Sequence, residues 1–305
     1  MRTPHDIGSR GSTESVRVSS SRQSDLPVRV ITPHNGLEAF TDALHSLVRD
    51  FPQSRALAWR MLLRDTRAMY RQSLLGYFWL VLPPLATVLV WVLLNNTNLV
   101  NIDAGNVPYP LFVITGTVLW TAFNASVMAM QEILGNARSM LSKVNFPHEA
   151  LIMTAFGKAL LNSLIPALLV IPALLFYDVS PGVTALLFPV GFLVLVLLGC
   201  AVGLLFVPIG ALYGDVGRAI QLALRFGFFV TPVIYALPTV GLTRTLLLWN
   251  PVSAPLVTSR SWLVGGESLL PAETAVVFVI SLALLILATV MFKVVMPHLI
   301  ERLNT

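Results

Sequence analysis

The stretch that decides the fold is SRALAWRMLLRDTRAMYRQSLL, residues 54–75. Four arginines in it are spaced four, three and four residues apart, so on a helix they share one stripe about 60° wide. They are Arg60, Arg64, Arg67 and Arg71. The side opposite this stripe carries Trp59, Leu62, Thr66 and Met69. We therefore predict an amphipathic helix with one basic face and one mostly apolar face.

This helix runs into an uncharged segment, LLGYFWLVLPPLATVLVWVLL, residues 74–94. A basic amphipathic helix beside an apolar run of that length is typical of an interface helix that feeds a transmembrane span. The arginines then lie at the cytoplasmic face, among anionic lipid headgroups. The alternative is a soluble core helix with a solvated basic face, and it does not account for the uncharged run that follows.

The composition is that of an integral membrane protein. Of the 305 residues, 55% are hydrophobic and 11% are charged, whereas soluble domains are about a quarter charged. The mean hydropathy is +0.77. The net charge of +5 comes from residues that flank apolar runs, so it indicates topology and not nucleic-acid binding. The single cysteine, Cys200, excludes an intrachain disulfide and a multi-thiol metal site.

Six apolar segments predict an all-α integral membrane protein with six transmembrane helices. They are residues 74–94, 111–130, 150–176, 183–213, 219–237 and 275–292. After the fifth segment comes a shorter apolar stretch, LTRTLLLWNPVSAPLV, residues 242–257, which Pro251 and Pro255 interrupt. We interpret this stretch as one or two short re-entrant helices at the outer face.

The chain divides into four parts. Residues 1–53 are polar and rich in serine and arginine, which predicts a largely disordered cytoplasmic tail. This tail has no apolar core of the kind that a secretory signal needs. The interface helix, residues 54–75, and a six-span domain, residues 76–296, come next, and residues 297–305 form a cytoplasmic C-terminal tail.

Lysine and arginine distribute unevenly between the loops. The loops at residues 95–110 and 178–182 have none, whereas the loop at 132–149 has Arg138 and Lys143. Because cytoplasmic loops carry the excess of basic residues, both termini are predicted to be cytoplasmic. The outer stretch at residues 238–274 holds two arginines, Arg244 and Arg260, but long loops obey this rule weakly.

The sequence carries no catalytic motif. Gly157-Lys158 is its only Gly-Lys pair, and it lacks the flanking glycine and hydroxyl residue of a phosphate-binding loop. Buried carboxylates of the kind that ion-coupled carriers use are nearly missing from the apolar segments. We therefore predict that the chain is not an enzyme, holds no cofactor or metal, and does not power transport by itself.

Two inner loops are candidate sites for a partner. The first contains NARSMLSKVNFPHE, residues 136–149, and the second contains LYGDVG, residues 212–217. In the second loop, Asp215 stands where it can cap the following helix. The alternative is that both are ordinary connecting loops, and spacing alone does not separate the two interpretations.

Several motifs, taken together and in order, give the chain a family resemblance. They are RDTRAMYRQSLLGYFWLVLPPL, VPYPLFVITGTVLW, NARSMLSKVNFPHE, LYGDVG, TPVIYALP and LLLWNPVSAPLV. Over roughly residues 56–304 the chain resembles the permease subunits of bacterial ABC polysaccharide exporters, which move O-antigen, capsule or teichoic acid chains on a lipid carrier. The resemblance implies a homodimer in the inner membrane that binds two copies of a separate ATPase, and that chain holds ATP and Mg.

The resemblance also implies that the first inner loop docks on the ATPase. The candidate docking residues are Asn136, Arg138, Ser139, Lys143, Asn145, Phe146, Pro147, His148 and Glu149, with Asp215 and Arg218 from the second loop. One rival is a permease of the same fold that exports a drug or a small lipid. Another is a membrane scaffold without transport. The sequence does not name the glycan or its length.

Aromatic residues on three apolar segments are candidates for the walls of a sugar path, because ring faces bind sugar C–H faces without fixing one hydroxyl pattern. The candidates are Tyr77, Phe78, Trp79, Trp91, Trp120, Phe123, Phe229 and Tyr235. The alternative is contact with lipid or an interfacial belt, where most aromatic residues of membrane proteins are found.

The topology gives a first prediction. In a Cys200→Ala background, single cysteines at Gly105 and Ser268 are expected to react with a membrane-impermeant thiol reagent in intact cells, because both positions lie in outer loops. A cysteine at Ser142 is expected to react only after the cells are opened. Labelling of Ser142 in intact cells would contradict the orientation.

Overall fold

The structure is a computed structural model that describes residues 52, 54–69, 71, 73–100, 102, 107–133, 135, 148–264 and 269–303, without the side chains of residues 148 and 297–303. Across these ranges every regular element is helical. The predicted disordered tail and most of the first inner loop lie outside the described residues.

The helices follow the apolar segments closely. They are α1 (residues 54–69), α2 (Phe78–Asn96), α3 (Tyr109–Gln131), α4 (His148–Ala167), α5 (Val170–Phe176), a 3-10 turn (Val183–Leu187), α6 (Phe188–Leu212), α7 (Asp215–Val230), α8 (Leu242–Trp249), α9 (Ser253–Val264) and α10 (Pro271–Leu303). Amphipathic helix α1 is thus present, whereas residues 71 and 73–75, which the prediction included, are not helical.

Five stretches of the described chain are long and apolar enough to cross a membrane. They are Phe78–Asn96, Tyr109–Gln131, Glu149–Phe176, Val183–Leu212 and Pro271–Met296. Their lengths, from 19 to 30 residues, fit a hydrocarbon core about 30 Å thick. Each coincides with one of the predicted apolar segments, so the chain is a multi-pass membrane protein.

The fifth predicted segment, residues 219–237, is not one helix. Helix α7 has 16 residues and ends at Val230, which makes it about 24 Å long. The chain then leaves the helix because Thr231 is extended and Pro232 offers no N–H to continue the ladder. Helix α7 is also strongly two-sided, with Leu224 as its one buried residue, unlike the uniformly apolar spans.

Helices α3 and α6 form the centre of the bundle. In the most apolar 18 residues of each span, 78% of residues are buried for α3 and 67% for α6, against 28% or less in the other three spans. Gly199 and Gly203 allow the close approach, since a Cβ atom at these positions would lie 2.5 Å from the Phe123 carbonyl oxygen and 2.6 Å from that of Val127. A Gly-x-x-x-Gly spacing of this kind lets two helices approach closely.

The apolar stretch at residues 242–257 forms two short helices, as predicted. Helix α8 has 8 residues and α9 has 12, so neither can span a membrane. They are separated at Asn250, and α9 is buried along most of its length. Helix α9 packs against α6 and α10, which makes it part of the core.

Glycine at position 203 gives a prediction. Gly203→Ala is expected to destabilise the protein by about 1 to 3 kcal/mol, because the new methyl group overpacks the α3–α6 contact. Gly217→Ala is the matched control, since nothing lies within 4 Å of its Cβ position. Thermal unfolding of the detergent-purified protein measures both. Equal melting temperatures for the two variants would show that this contact does not hold the helices together.

Candidate functional site

Helix α1 is fixed to α4 by an ion pair. The Lys158 Nζ atom lies 2.6 Å from a carboxylate oxygen of Asp65, and the two side chains are 10% and 15% exposed. Burial alone would raise the pKa of Asp65, but hydrogen bonds from Lys158 and Arg64 outweigh it and hold the pKa below its usual value. The carboxylate is therefore charged at neutral pH, and it balances the one lysine of the third apolar segment.

Side-chain packing reinforces this contact and sets the rotation of α1. Leu62 covers Gly157, where a Cβ atom would lie 2.6 Å from the leucine side chain. The buried face of α1 is Ala58, Met61 and Leu62. Trp59 and Met69, predicted for that face, are 60% and 49% exposed instead.

The reason for this rotation is Asp65. Placing its carboxylate against Lys158 turns the helix so that Trp59 faces outward. The four arginines of the stripe, Arg60, Arg64, Arg67 and Arg71, are all exposed, as the sequence predicts.

A second ion pair joins the start of α4 to the last part of α10. The Lys293 Nζ atom donates to the Glu149 carboxylate, whose side chain is 7% exposed. Glu149 is the last residue of the first inner loop, and its buried carboxylate is engaged within the chain. The docking candidates Asn136, Arg138, Ser139, Lys143, Asn145, Phe146 and Pro147, and the side chain of His148, lie outside the described residues.

The second inner loop presents Asp215 and Arg218 to the surface. Their side chains are 92% and 85% exposed, with a 3.2 Å ion pair between them. Asp215 is the first residue of α7 and makes no capping hydrogen bond, because Gly214 occupies the cap position. The capping role predicted for Asp215 is therefore wrong, although an acidic residue in the first turn still suits the helix dipole.

An open cavity of about 550 Å³ lies where the ends of α3 and α6 meet the start of α7. Its lining is neutral apart from Glu132, and it contains two amide side chains and four glycines. The lining residues are Met128, Gln131, Glu132, Gly135, Val207, Gly210, Ala211, Gly214, Gly217 and Gln221. Gln131 donates from Nε2 to the Gly203 carbonyl oxygen at 2.7 Å, which ties this end of α3 to α6.

The aromatic candidates fall into two groups. Six lie on or beside α2 and α7, four of them exposed and two, Trp91 and Tyr235, partly buried; they are Tyr77, Phe78, Trp79, Trp91, Phe229 and Tyr235. We call these six residues the aromatic face. Trp91 meets Phe229 edge-on with ring centroids 6.4 Å apart, and the Tyr235 hydroxyl donates to the Phe229 carbonyl oxygen at 3.0 Å. The Trp91–Phe229 contact therefore joins α2 to the last turn of α7.

Trp120 and Phe123 form the second group. They are 6% and 7% exposed, and their rings pack on each other at 5.5 Å. Trp120 also meets Phe228 at 6.2 Å. Since both side chains fill the core between α3 and α7, we keep the sugar-path hypothesis only for the aromatic face.

Comparison with known proteins gives consistent matches. No protein-family model matches the chain. It is 30% identical over 216 residues to the O-antigen export system permease protein RfbA of Myxococcus xanthus, covering 70% of this chain and 82% of the relative. It is 22% identical over 206 residues to RfbA of Klebsiella pneumoniae, covering 67% and 78%. To the polysialic acid transport protein KpsM of Escherichia coli it is 24% identical over 215 residues, covering 68% and 80%.

The Asp65–Lys158 pair gives a prediction. Asp65→Asn is expected to destabilise the protein by about 2 kcal/mol or more, because it leaves the lysine buried without a counter-charge. Asp65→Leu combined with Lys158→Met is expected to recover most of that loss, because no unpaired charge remains.

Asp215→Asn is the matched control, since its partner is exposed and such pairs contribute little. Unfolding midpoints of the detergent-purified variants measure the effect. If the single variant and the control are equally stable, α1 does not depend on the pair.

Proposed function

The chain belongs to the family of permease subunits of ABC polysaccharide exporters, and we propose that it passes a lipid-linked polysaccharide across the cytoplasmic membrane. The substrate class is O-antigen, capsule or teichoic acid. The observation that carries the proposal is the aromatic face, a set of exposed and partly buried rings on and beside α2 and α7. Such a surface holds a repeating sugar chain weakly at many points, and translocation requires weak, multi-site binding.

We include a sixth crossing in the proposal, and an argument from the two ends of the bundle supports it. Cavity residues Gln131 and Gly210 put the ends of α3 and α6 at one surface. The Glu149–Lys293 pair puts the last part of α10 near that surface too, because α4 begins shortly after α3 ends. In this proposal the chain crosses once between α6 and α10, through α7 and residues 231–240. The shared surface is then the cytoplasmic one.

In the assembly that we propose, two copies of the chain face each other across α2 and α7. The rest of the chain buries little of these two helices. Pro84 is the one buried residue of α2, and Leu224 is the one buried residue of α7. Two ATPase subunits, which hold ATP and Mg, bind the inner loops at residues 136–149 and 212–218. Helix α1 lies along the inner membrane surface, with the exposed Arg60, Arg64 and Arg67 among anionic lipid headgroups.

The test is a strain that lacks the chain, complemented with the protein or its variants at matched membrane levels. The deletion strain is expected to lose its surface glycan and to accumulate lipid-linked glycan inside the cell. The complementing protein is expected to co-purify with an ATPase. A deletion strain with normal surface glycan and altered resistance to a drug or lipid would favour export of a small molecule instead.

Variants of the aromatic face sharpen this test. Trp79→Ala and Phe229→Ala are each expected to slow export about fivefold, the effect of one ring contact of about 1 kcal/mol, and the double variant is expected to be slower than either. Phe176→Ala is the matched control, because this ring is 79% exposed but lies on α5, away from the aromatic face. Normal export by all three aromatic-face variants would assign these rings to lipid contact.

A further inference from the structure

An arginine from α9 is buried against the broken end of α7. The Arg260 side chain is 5% exposed, and its guanidinium donates to the carbonyl oxygens of Pro232 and Val233, the latter at 3.1 Å. Its Cζ atom lies 3.8 Å from the centre of the Phe112 ring, a cation–π contact. No described carboxylate forms an ion pair with it. The two backbone carbonyl dipoles and the Phe112 ring therefore balance its charge.

The backbone after α7 needs this donor. Residues Thr231 to Ile234 are buried, and the chain there has left the helix. The Val233 N–H turns back to the Thr231 carbonyl oxygen at 2.7 Å, so the next two carbonyls have no helical partner. A buried carbonyl without a hydrogen bond is costly, and the planar guanidinium fork can serve two neighbouring acceptors where a lysine ammonium serves one point.

Two further contacts hold the same residues. The Asn250 Nδ2 atom donates to the Thr231 Oγ1 atom at 2.7 Å. On the side of α3, the Val233 carbonyl oxygen lies 2.2 Å from where a Cβ atom of Gly116 would stand, so the two backbones touch directly. We call residues 231–235 the elbow. It is fixed by α3, by the residue between α8 and α9, and by Arg260.

The elbow is mostly buried, whereas the helix that precedes it, α7, is mostly exposed. Along α7 the residues on the outward side, such as Phe226 and Phe229, are 64% and 56% exposed. Tyr235, the last elbow residue, bonds back to Phe229. The position of this part of the aromatic face is therefore set at the elbow and not along the helix.

We propose that Arg260 is a positioning residue for export: it holds the elbow, and through it the outer end of α7 with Phe229 and Tyr235, in the place where the polysaccharide passes. This inference rests on the proposed function. It predicts that loosening the elbow lowers the amount of glycan exported for each ATP hydrolysed. The conservative change Arg260→Lys is the decisive one, because it keeps the charge and removes the fork.

The first measurement reads the elbow alone and does not depend on the substrate. In a Cys200→Ala background, Ile234→Cys reports on a side chain that is 4% exposed, and Trp249→Cys on one that is 83% exposed. Adding Arg260→Lys is expected to raise the thiol-labelling rate of Ile234→Cys about tenfold, the effect on local opening of losing one charge-assisted hydrogen bond. The labelling rate of Trp249→Cys is expected to stay unchanged.

The second measurement is glycan exported per ATP hydrolysed, in the complex with its ATPase. Arg260→Lys is expected to lower this ratio several-fold at normal membrane level and normal ATPase co-purification. Arg244→Lys is the matched control, because Arg244 is partly exposed and donates to one carbonyl oxygen, that of Thr239, at 2.8 Å. Asn250→Ala, which removes a separate elbow contact, is expected to act in the same direction as Arg260→Lys.

Parental labelling in Arg260→Lys would overturn the proposal, because the fork would then not hold the elbow. Faster labelling with an unchanged export ratio would overturn it too, since the elbow would then have no part in export. A deletion strain with normal surface glycan refutes the proposed function and the export role of Arg260 together. The labelling result separates that outcome from a failure of the elbow itself.

Discussion

Backbone hydrogen bonding without water is the constraint on which this structure depends. In a bilayer each N–H and C=O group must find a partner inside the protein, which favours continuous helices. Hydroxyl side chains within the spans follow the same rule, since Thr115 and Ser126 donate to carbonyl oxygens four residues earlier at 2.9 and 2.7 Å. Where the ladder breaks after α7, the Arg260 side chain of α9 donates to two of the backbone carbonyl oxygens.

The two lysines within the described spans each have a carboxylate partner. Lys158 has Asp65 and Lys293 has Glu149 as partner, and both pairs join helices that are distant in sequence. The first pair ties α1 to the bundle, so the amphipathic helix is more than a membrane-surface segment attached by its end. The second ties the start of α4, next to an inner loop, to α10. A displacement of that loop would therefore move both α4 and α10.

The sequence predicts the parts of this arrangement that depend on composition over a window. Hydropathy locates five spans, and arginine spacing locates α1 and its exposed face. The prediction fails for the fifth segment. Averaging hydropathy over a window hides both the polar side of α7 and the break in the helix before Pro232. It also fails to separate buried Trp120 from the partly exposed Trp91, because helices that are apolar all round carry no periodic signal for their rotation. Long-range partners such as Asp65 and Lys158, 93 positions apart, leave no mark in a single sequence.

The two-sided character of α7 also bears on how the protein is made. The insertion machinery recognises segments by their apolarity, and an arginine near a helix centre disfavours entry by about 2.5 to 3.5 kcal/mol. Helix α7 is 16 residues long and holds Arg225, so it is a poor candidate for entering the bilayer alone. Its partners at the elbow, Asn250 and Arg260, are synthesised after it. In the proposed six-span topology, biogenesis of this chain therefore has a late step, in which α7 becomes stable in the membrane only once α9 has emerged.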